Sequence, residues 1–316
     1  MKPTFHFLMI VFVFSPFNSF AWGFFAHKEI NKLAIFTLPP ELFGFYKKHH
    51  EFIIHNAVNP DKRRNVIREE ACRHYIDLDA YPDTTAIPSY WKEAVAKFSE
   101  DSLLKHGIVP WHIQHIKYQL TEAFRQKSIS RILRLSADLG HYAADANVPL
   151  HTTSNYNGQL TNQHGIHGFW ESRLPELFYE EYDFFTGKAL YLENVSDAAW
   201  QCVSLAHAAV DSVLLFEKEL NASFPEDKKY AFEERNGVTV KMYSEAYANA
   251  YHRQLHGQVE RRMRASILFV GSLWYTCWVD AGQPDLSALY DDLSEKEKEE
   301  VEQEKKTETK GDTCNH

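Results

Sequence analysis

Apolar residues recur at three- and four-residue intervals along most of the chain, the spacing that lines one side of an α-helix. His27–Phe36 (HKEINKLAIF) shows it and stops at Pro39-Pro40. A second helix is expected over Glu41–Ala57, bounded by Asn59-Pro60, and a charged third over Asp61–Ala71. His74–Asp79 (HYIDLD) alternates as a strand does but is short, and Pro82 and Pro88 frame the next segment as loop. Further helices are predicted over Ser89–Lys105, Pro110–Arg125 and Ser128–Asn147. Thr152–Gly165, rich in Asn, Gly and Thr, reads as loop. Ile166–Glu180 and Ser196–Leu220 read as helices, with Ser196 available to cap the second. Phe232–Lys241 holds Asn236-Gly237, a turn between two short extended pieces, and Lys241–Val279 reads as two helices broken near Gly257. The expected fold is all-α, a single multi-helix domain.

The two ends differ from this pattern. Met1-Lys2 precedes an apolar run over Phe5–Phe14, and Ser19 and Ala21 supply small residues before Trp22. Residues 1–21 therefore read as a signal peptide, which predicts an exported chain, periplasmic or secreted, whose mature form starts at Trp22. The domain is expected over residues 22–293. Residues 294–316 are rich in Glu and Lys with no apolar face and read as a disordered tail. No later run reaches the ~20 apolar residues that a transmembrane helix needs.

Composition narrows the function classes. Four widely spaced cysteines (Cys72, Cys202, Cys277, Cys314) and no CxxC exclude a disulfide scaffold and a cysteine zinc knuckle. A net charge of −9 argues against duplex binding through a broad basic face.

The chemistry centres on Ala137–His151, ADLGHYAADANVPLH. His141 and Asp145 are four apart, on one helix face, and can share one ion. Pro149 should end the helix just past Asn147 and aim His151 at a second site. His167 and Glu171 repeat the four-residue spacing; with His151 they make a two-histidine, one-carboxylate set typical of hydrolytic zinc. Asp61 and His74 are candidates to join His141 and Asp145. A mature N-terminus at Trp22 would offer its α-amine and carbonyl as a chelate, with His27 one turn away, and Asp145 has a second oxygen with which to bridge two ions. His50-Glu51 and His55 resemble a zinc-protease motif, but the second histidine is one residue too far. His112 and His115 share a face with no carboxylate at ligand spacing.

In their order, these positions resemble the superfamily shared by bacterial zinc-dependent phospholipase C and the fungal and plant zinc single-strand nucleases. The match covers residues 22–171. Trp22 in WGFFAH matches the family's N-terminal ligand and His27 the next; Asp61 and His74, then His141, Asp145 and His151, then His167 and Glu171 match the rest. The resemblance implies three Zn²⁺ ions in one cleft of an all-α fold. The water attacking a phosphodiester would be activated between two ions bridged by Asp145, and the third ion would stabilise the leaving alkoxide.

The two branches divide the remaining signals. The short step from Trp22 to His27 looks like the nucleases, in which Arg64 would contact the scissile phosphate, Tyr75 would stack a base and Asp77 would read it. Glu171 in place of Asp, the motif GIHGFWE and the short His151–His167 loop look like the phospholipases. The resemblance thus implies a phosphodiesterase with Asp61, Arg64 and Asp145 at the chemistry, acting on single-stranded nucleic acid or on phospholipid. A helical binding module that keeps zinc for stability is the reading from another class.

Overall fold

The computed structural model describes residues 23–235 and 237–287. The expected signal peptide over residues 1–21, Trp22 and the expected disordered tail over residues 294–316 lie outside the described residues.

The helices, in order, are α1 (Phe24–Ile35), α2 (Pro40–Lys48), α3 (His50–Asn56), α4 (Asn59–Arg64), α5 (Trp91–Phe98), α6 (Glu100–His106), α7 (Val109–Arg125) and α8 (Ile129–Asp145). After a polar loop come α9 (Ile166–Gly168), a π-helical stretch at Phe169–Arg173, α10 (Leu174–Phe178), α11 (Val195–His207) and α12 (Val210–Ser223). A hairpin of β1 (Tyr230–Arg235) and β2 (Val238–Tyr243) leads to α13 (Glu245–Gln254) and α14 (Gln258–Asp280). The fold is thus a mostly helical single domain with one small two-stranded sheet.

Helix α8 is the axis. Every residue from Leu135 to Asp145 is buried, as expected for a helix wrapped by neighbours rather than amphipathic on a surface. It packs against α1, α3, α7 and α14. Trp274 of α14 stacks on Tyr46 of α2 at 4.7 Å and donates its indole N–H to the Ser136 carbonyl at 3.0 Å, while Ser136 Oγ lies 2.8 Å from the Tyr46 hydroxyl. Two aromatic side chains are thereby buried with their polar ends satisfied. Gly140 allows α1 to come close: a Cβ there would lie 2.1 Å from Asn31 Oδ1.

Several expected elements are subdivided. The helix expected over Glu41–Ala57 breaks at His49, and that over Ser89–Lys105 breaks at Ser99, whose φ of 65° leaves the helical region. Asp61–Ala71 becomes the end of α4 followed by a 3₁₀ turn at Arg68–Arg73. Pro60 lies inside the first turn of α4, where its missing N–H costs nothing, rather than outside as a boundary. Asn194, not Ser196, caps α11 by accepting from the Asp197 N–H; Ser196 Oγ instead bonds the Ser89 carbonyl. His74–Asp79 is not a strand. Its alternation is one of burial, with His74, Ile76 and Leu78 inside, and its N–H groups go to the His151 and His106 carbonyls. Where the turn is expected, Arg235 of one strand pairs with Val238 of the next and Gly237 has φ 76°.

The Val195–Ser223 stretch is long and apolar enough to cross a membrane by composition, but it folds as two helices, α11 and α12, and carries buried Glu217. Cys72, Cys202 and Cys277 are free thiols.

Candidate metal centre

Six elements deliver eight buried side chains to one region. His27 comes from α1, Asp61 from α4, His74 from the residue after the 3₁₀ turn, and His141 and Asp145 from the end of α8. Past Pro149 a short 3₁₀ turn presents His151, and α9 with the π stretch presents His167 and Glu171. None is more than 6 % exposed. Three groups can each coordinate one divalent cation: His27, Asp61 and His141; His74, His141 and Asp145; and His151, His167 and Glu171.

The spacing within the groups fits a shared ion. His74 Nδ1, His141 Nε2 and Asp145 Oδ2 form a triangle with edges of 2.9, 3.1 and 3.2 Å. His151 Nε2, His167 Nε2 and Glu171 Oε2 form another with edges of 3.1, 2.9 and 3.5 Å. Four ligands around a tetrahedral zinc at ordinary bond lengths stand about 3.3 Å from one another. Asp145 divides its oxygens: Oδ2 faces His74 and His141, while Oδ1 lies 3.3 Å from His27 Nε2.

The rings are oriented from behind. His141 donates Nδ1–H to the Ala57 carbonyl at 2.8 Å and His151 donates Nδ1–H to the His74 carbonyl at 2.7 Å, leaving Nε2 of each as a lone-pair donor. His74 is reversed, with Nδ1 in the group and Nε2 turned toward Glu70 Oε1 at 3.8 Å. Among the described residues neither oxygen of buried Asp61 accepts a hydrogen bond. Such a carboxylate is costly without a counter-charge, and a divalent cation with these donors would supply it.

Electrostatics follow the same geometry. Burial, then the charge of His141, lowers the pKa of His27. Burial pushes His74 to about 3, and burial followed by the Arg64 charge pushes His167 to about 3, so both rings stay neutral and able to ligate. Burial raises Asp61 well above the usual carboxylate range. Burial works the same way on Asp145, yet His141 and His151 hold it well below that range.

Arg64, half-buried, makes no hydrogen bond or ion pair among the described residues, while its charge is felt at Asp61, His74, Tyr75 and His167. Tyr75 is half-buried and donates its hydroxyl to the Lys105 carbonyl at 3.3 Å. Asp77 faces His106 at 3.6 Å, and burial followed by the neighbouring Asp79 charge pushes it to about 6. His50, Glu51 and His55 lie on an exposed face of α3 and bond to one another and to their own backbone.

Sequence reasoning missed the network behind His74. Glu70, fully buried, accepts from Tyr142 Oη and lies 2.6 Å from Arg73 Nη1 and 3.5 Å from Arg63 Nη2. Arg63 also reaches Asp138 at 3.0 Å. The available signal was Glu70 four residues before His74. Asp79 was missed as well: it accepts from Ser154 N–H, Ser154 Oγ and Thr153 Oγ1, fixing the start of the loop between His151 and His167.

No known protein family matches the chain, and a search of curated proteins finds no match.

Proposed function

We propose that the chain is an exported zinc-dependent phosphodiesterase of the phospholipase C and single-strand nuclease type, cleaving single-stranded DNA or RNA. The observation that carries this reading is the convergence of eight His, Asp and Glu side chains from six elements into three cation-competent groups. Trp22, with its α-amine, is the expected ninth ligand. Bound zinc would lower the pKa of water and offset charge on the phosphate oxygens. Three carboxylates do not neutralise three divalent cations, so the loaded centre stays cationic and suits an anionic substrate.

The chain's own residues then divide the work. Asp145 reaches both paired groups with its two oxygens, and Asp61, which accepts no hydrogen bond among the described residues, would take the proton of the attacking water. Water oxygen bonds to phosphorus, the opposite P–O ester bond breaks, and the leaving alkoxide takes the proton that Asp61 accepted from the water. No covalent enzyme intermediate is needed. Arg64, without a hydrogen bond or ion pair among the described residues, offers its guanidinium to the phosphoryl oxygens. Tyr75, beside the ligand His74, is the aromatic surface for a base, and Asp77 its hydrogen-bonding partner.

A second reading, phospholipid hydrolysis, draws on the exposed apolar side chains near the ligands. Val66 and Ile67 follow Arg64 by two and three residues and are 86 % and 41 % exposed, while Tyr156, edge-on to the His167 ring, is 50 % exposed. Zinc analysis followed by parallel assays on single-stranded DNA, RNA and phosphatidylcholine decides. Cleavage of nucleic acid alone supports the main reading, cleavage of the lipid alone the second. Three bound zincs with no hydrolysis would favour a binding module.

A further inference from the structure

His167 and Glu171 stand four residues apart and face the third cation group. Phe169 and Arg173 are also four apart, offset from the first pair by two residues. Two residues turn an α-helix by about 200°, so this second pair points away from the ligands. The hairpin region receives it. Phe169 stacks on Tyr243 of β2 with ring centres 4.0 Å apart and on Tyr251 of α13 at 5.0 Å. Arg173, 6 % exposed, donates Nη1 to Glu233 Oε2 of β1 at 3.0 Å and Nη2 to Oε1.

The stretch between these two grips winds as a π-helix over Phe169–Arg173. That winding is rarely stable alone and is held by its surroundings. Glu171 lies inside this stretch and His167 just before it, so a shift of the stretch would move Glu171 relative to His167 and open the 2.9 Å contact between them. A two-pronged arginine–carboxylate pair fixes rotation as well as position. The same hairpin also pairs Arg235 with Glu176 of α10 at 2.6 Å, but there the arginine is 40 % exposed and the contact lies beyond the π stretch.

We propose that Arg173, held by Glu233, is a positioning residue for the His151, His167 and Glu171 group, and that the hairpin is the back plate setting this group's cation affinity. The inference rests on the metal reading above.

The test is stepwise chelator competition on full-length, zinc-loaded protein, counting ions per chain and recording the unfolding temperature of the metal-free form. In Glu233→Gln, one ion is expected to leave at about tenfold lower chelator concentration, the usual effect of losing a residue that orients a ligand. The other two ions should be retained as in wild type. Glu176→Gln should release all ions as wild type does. In a His167→Ala background, adding Glu233→Gln should change nothing further. Unchanged release in Glu233→Gln would overturn the proposal. So would equal weakening by Glu233→Gln and Glu176→Gln together with lower metal-free unfolding temperatures, because that pattern marks general stabilisation. If Glu233→Gln does not fold, Arg173→Lys, which keeps the charge and loses the fork, makes the same comparison. A wild-type chain that takes up no zinc would overturn the metal reading itself.

Discussion

His27 and His141 lie face to face, with ring centres 3.8 Å apart and planes inclined by 17°. Both turn Nε2 toward the same carboxylate, His27 to Asp145 Oδ1 at 3.3 Å and His141 to Asp145 Oδ2 at 3.2 Å. Asp145→Asn leaves one oxygen and an NH₂ that repels a cation. The expected outcome is loss of the two ions of the paired groups and retention of the third, read by metal analysis after gel filtration. Lost activity with both paired ions still bound and undisturbed would count against the bridging role.

Arg64 makes no side-chain hydrogen bond or ion pair among the described residues and lies close enough to Asp61, His74 and His167 for its charge to be felt there. Arg64→Ala should lower kcat by roughly 10²–10³-fold, the scale for removing a group that meets developing charge, with zinc content unchanged. Arg64→Lys should recover only part, since an ammonium cannot make the two-pronged contact. Steady-state kinetics beside metal analysis checks this. A zinc-depleted Arg64→Ala would assign the residue to the metal groups instead.

Gly140→Ala places a methyl 2.1 Å from Asn31 Oδ1, on the α1 side chain that donates to the Ala137 carbonyl at 3.2 Å. Relief requires α1 to shift away from α8, and His27 sits one turn before Asn31. Overpacking of this kind costs about 1–3 kcal/mol. Urea unfolding should report that loss, and zinc titration a weakened paired site with the third site spared.

Acid should destabilise the metal-free protein. His74 and His167 titrate near 3 in the fold because they are buried, against 6.5 for an unfolded histidine. The unfolded chain therefore binds more protons below 6.5, and stability, complete above that pH, falls as the pH drops from 6.5 toward 3. At pH 5 each ring accounts for about 2 kcal/mol. Urea midpoints of the EDTA-treated chain at pH 7.5, 6 and 5 should decline in that order; flat midpoints would contradict the buried, neutral assignment.

If Trp22 ligates through its α-amine, one residue added before it should reduce bound zinc. Gly23 begins the described chain pressed against the third ligand segment, with its N–H 3.3 Å from the Glu171 carbonyl and no room for a Cβ beside Ser172. An extended N-terminus carrying three ions and full activity would rule out the amine as a ligand.

The ligand spacing was legible because helices impose it: His141 and Asp145, or His167 and Glu171, share a face by a local rule. Pro149 likewise announced the turn that aims His151. The breaks at His49 and Ser99 were not legible, since each is a backbone angle set by packing rather than by a helix-breaking residue. The alternation in HYIDLD was visible but ambiguous, because inside-outside periodicity marks burial and names no hydrogen-bond partner. Glu233 escaped for a related reason: tertiary packing creates its contact with Arg173, 60 residues away along the chain. Glu70 stands at the local four-residue spacing from His74, a signal the sequence does carry. Tyr75 and Asp77 stand out only through the resemblance, and their contacts with Lys105 and His106 belong to the loop's attachment to α6.

The distribution of the candidate ligands along the chain also bears on endurance. Cys72, Cys202 and Cys277 form no cross-link, yet His74 and Asp145, 71 residues apart, meet at one cation group. An ion there closes the same kind of loop that a disulfide would, worth about 4 kcal/mol in chain entropy for that span. Unlike a sulfur bridge, it is indifferent to reductant and vulnerable to chelator. In its surroundings the protein would be durable where zinc is plentiful and open to proteases where competing ligands strip it away.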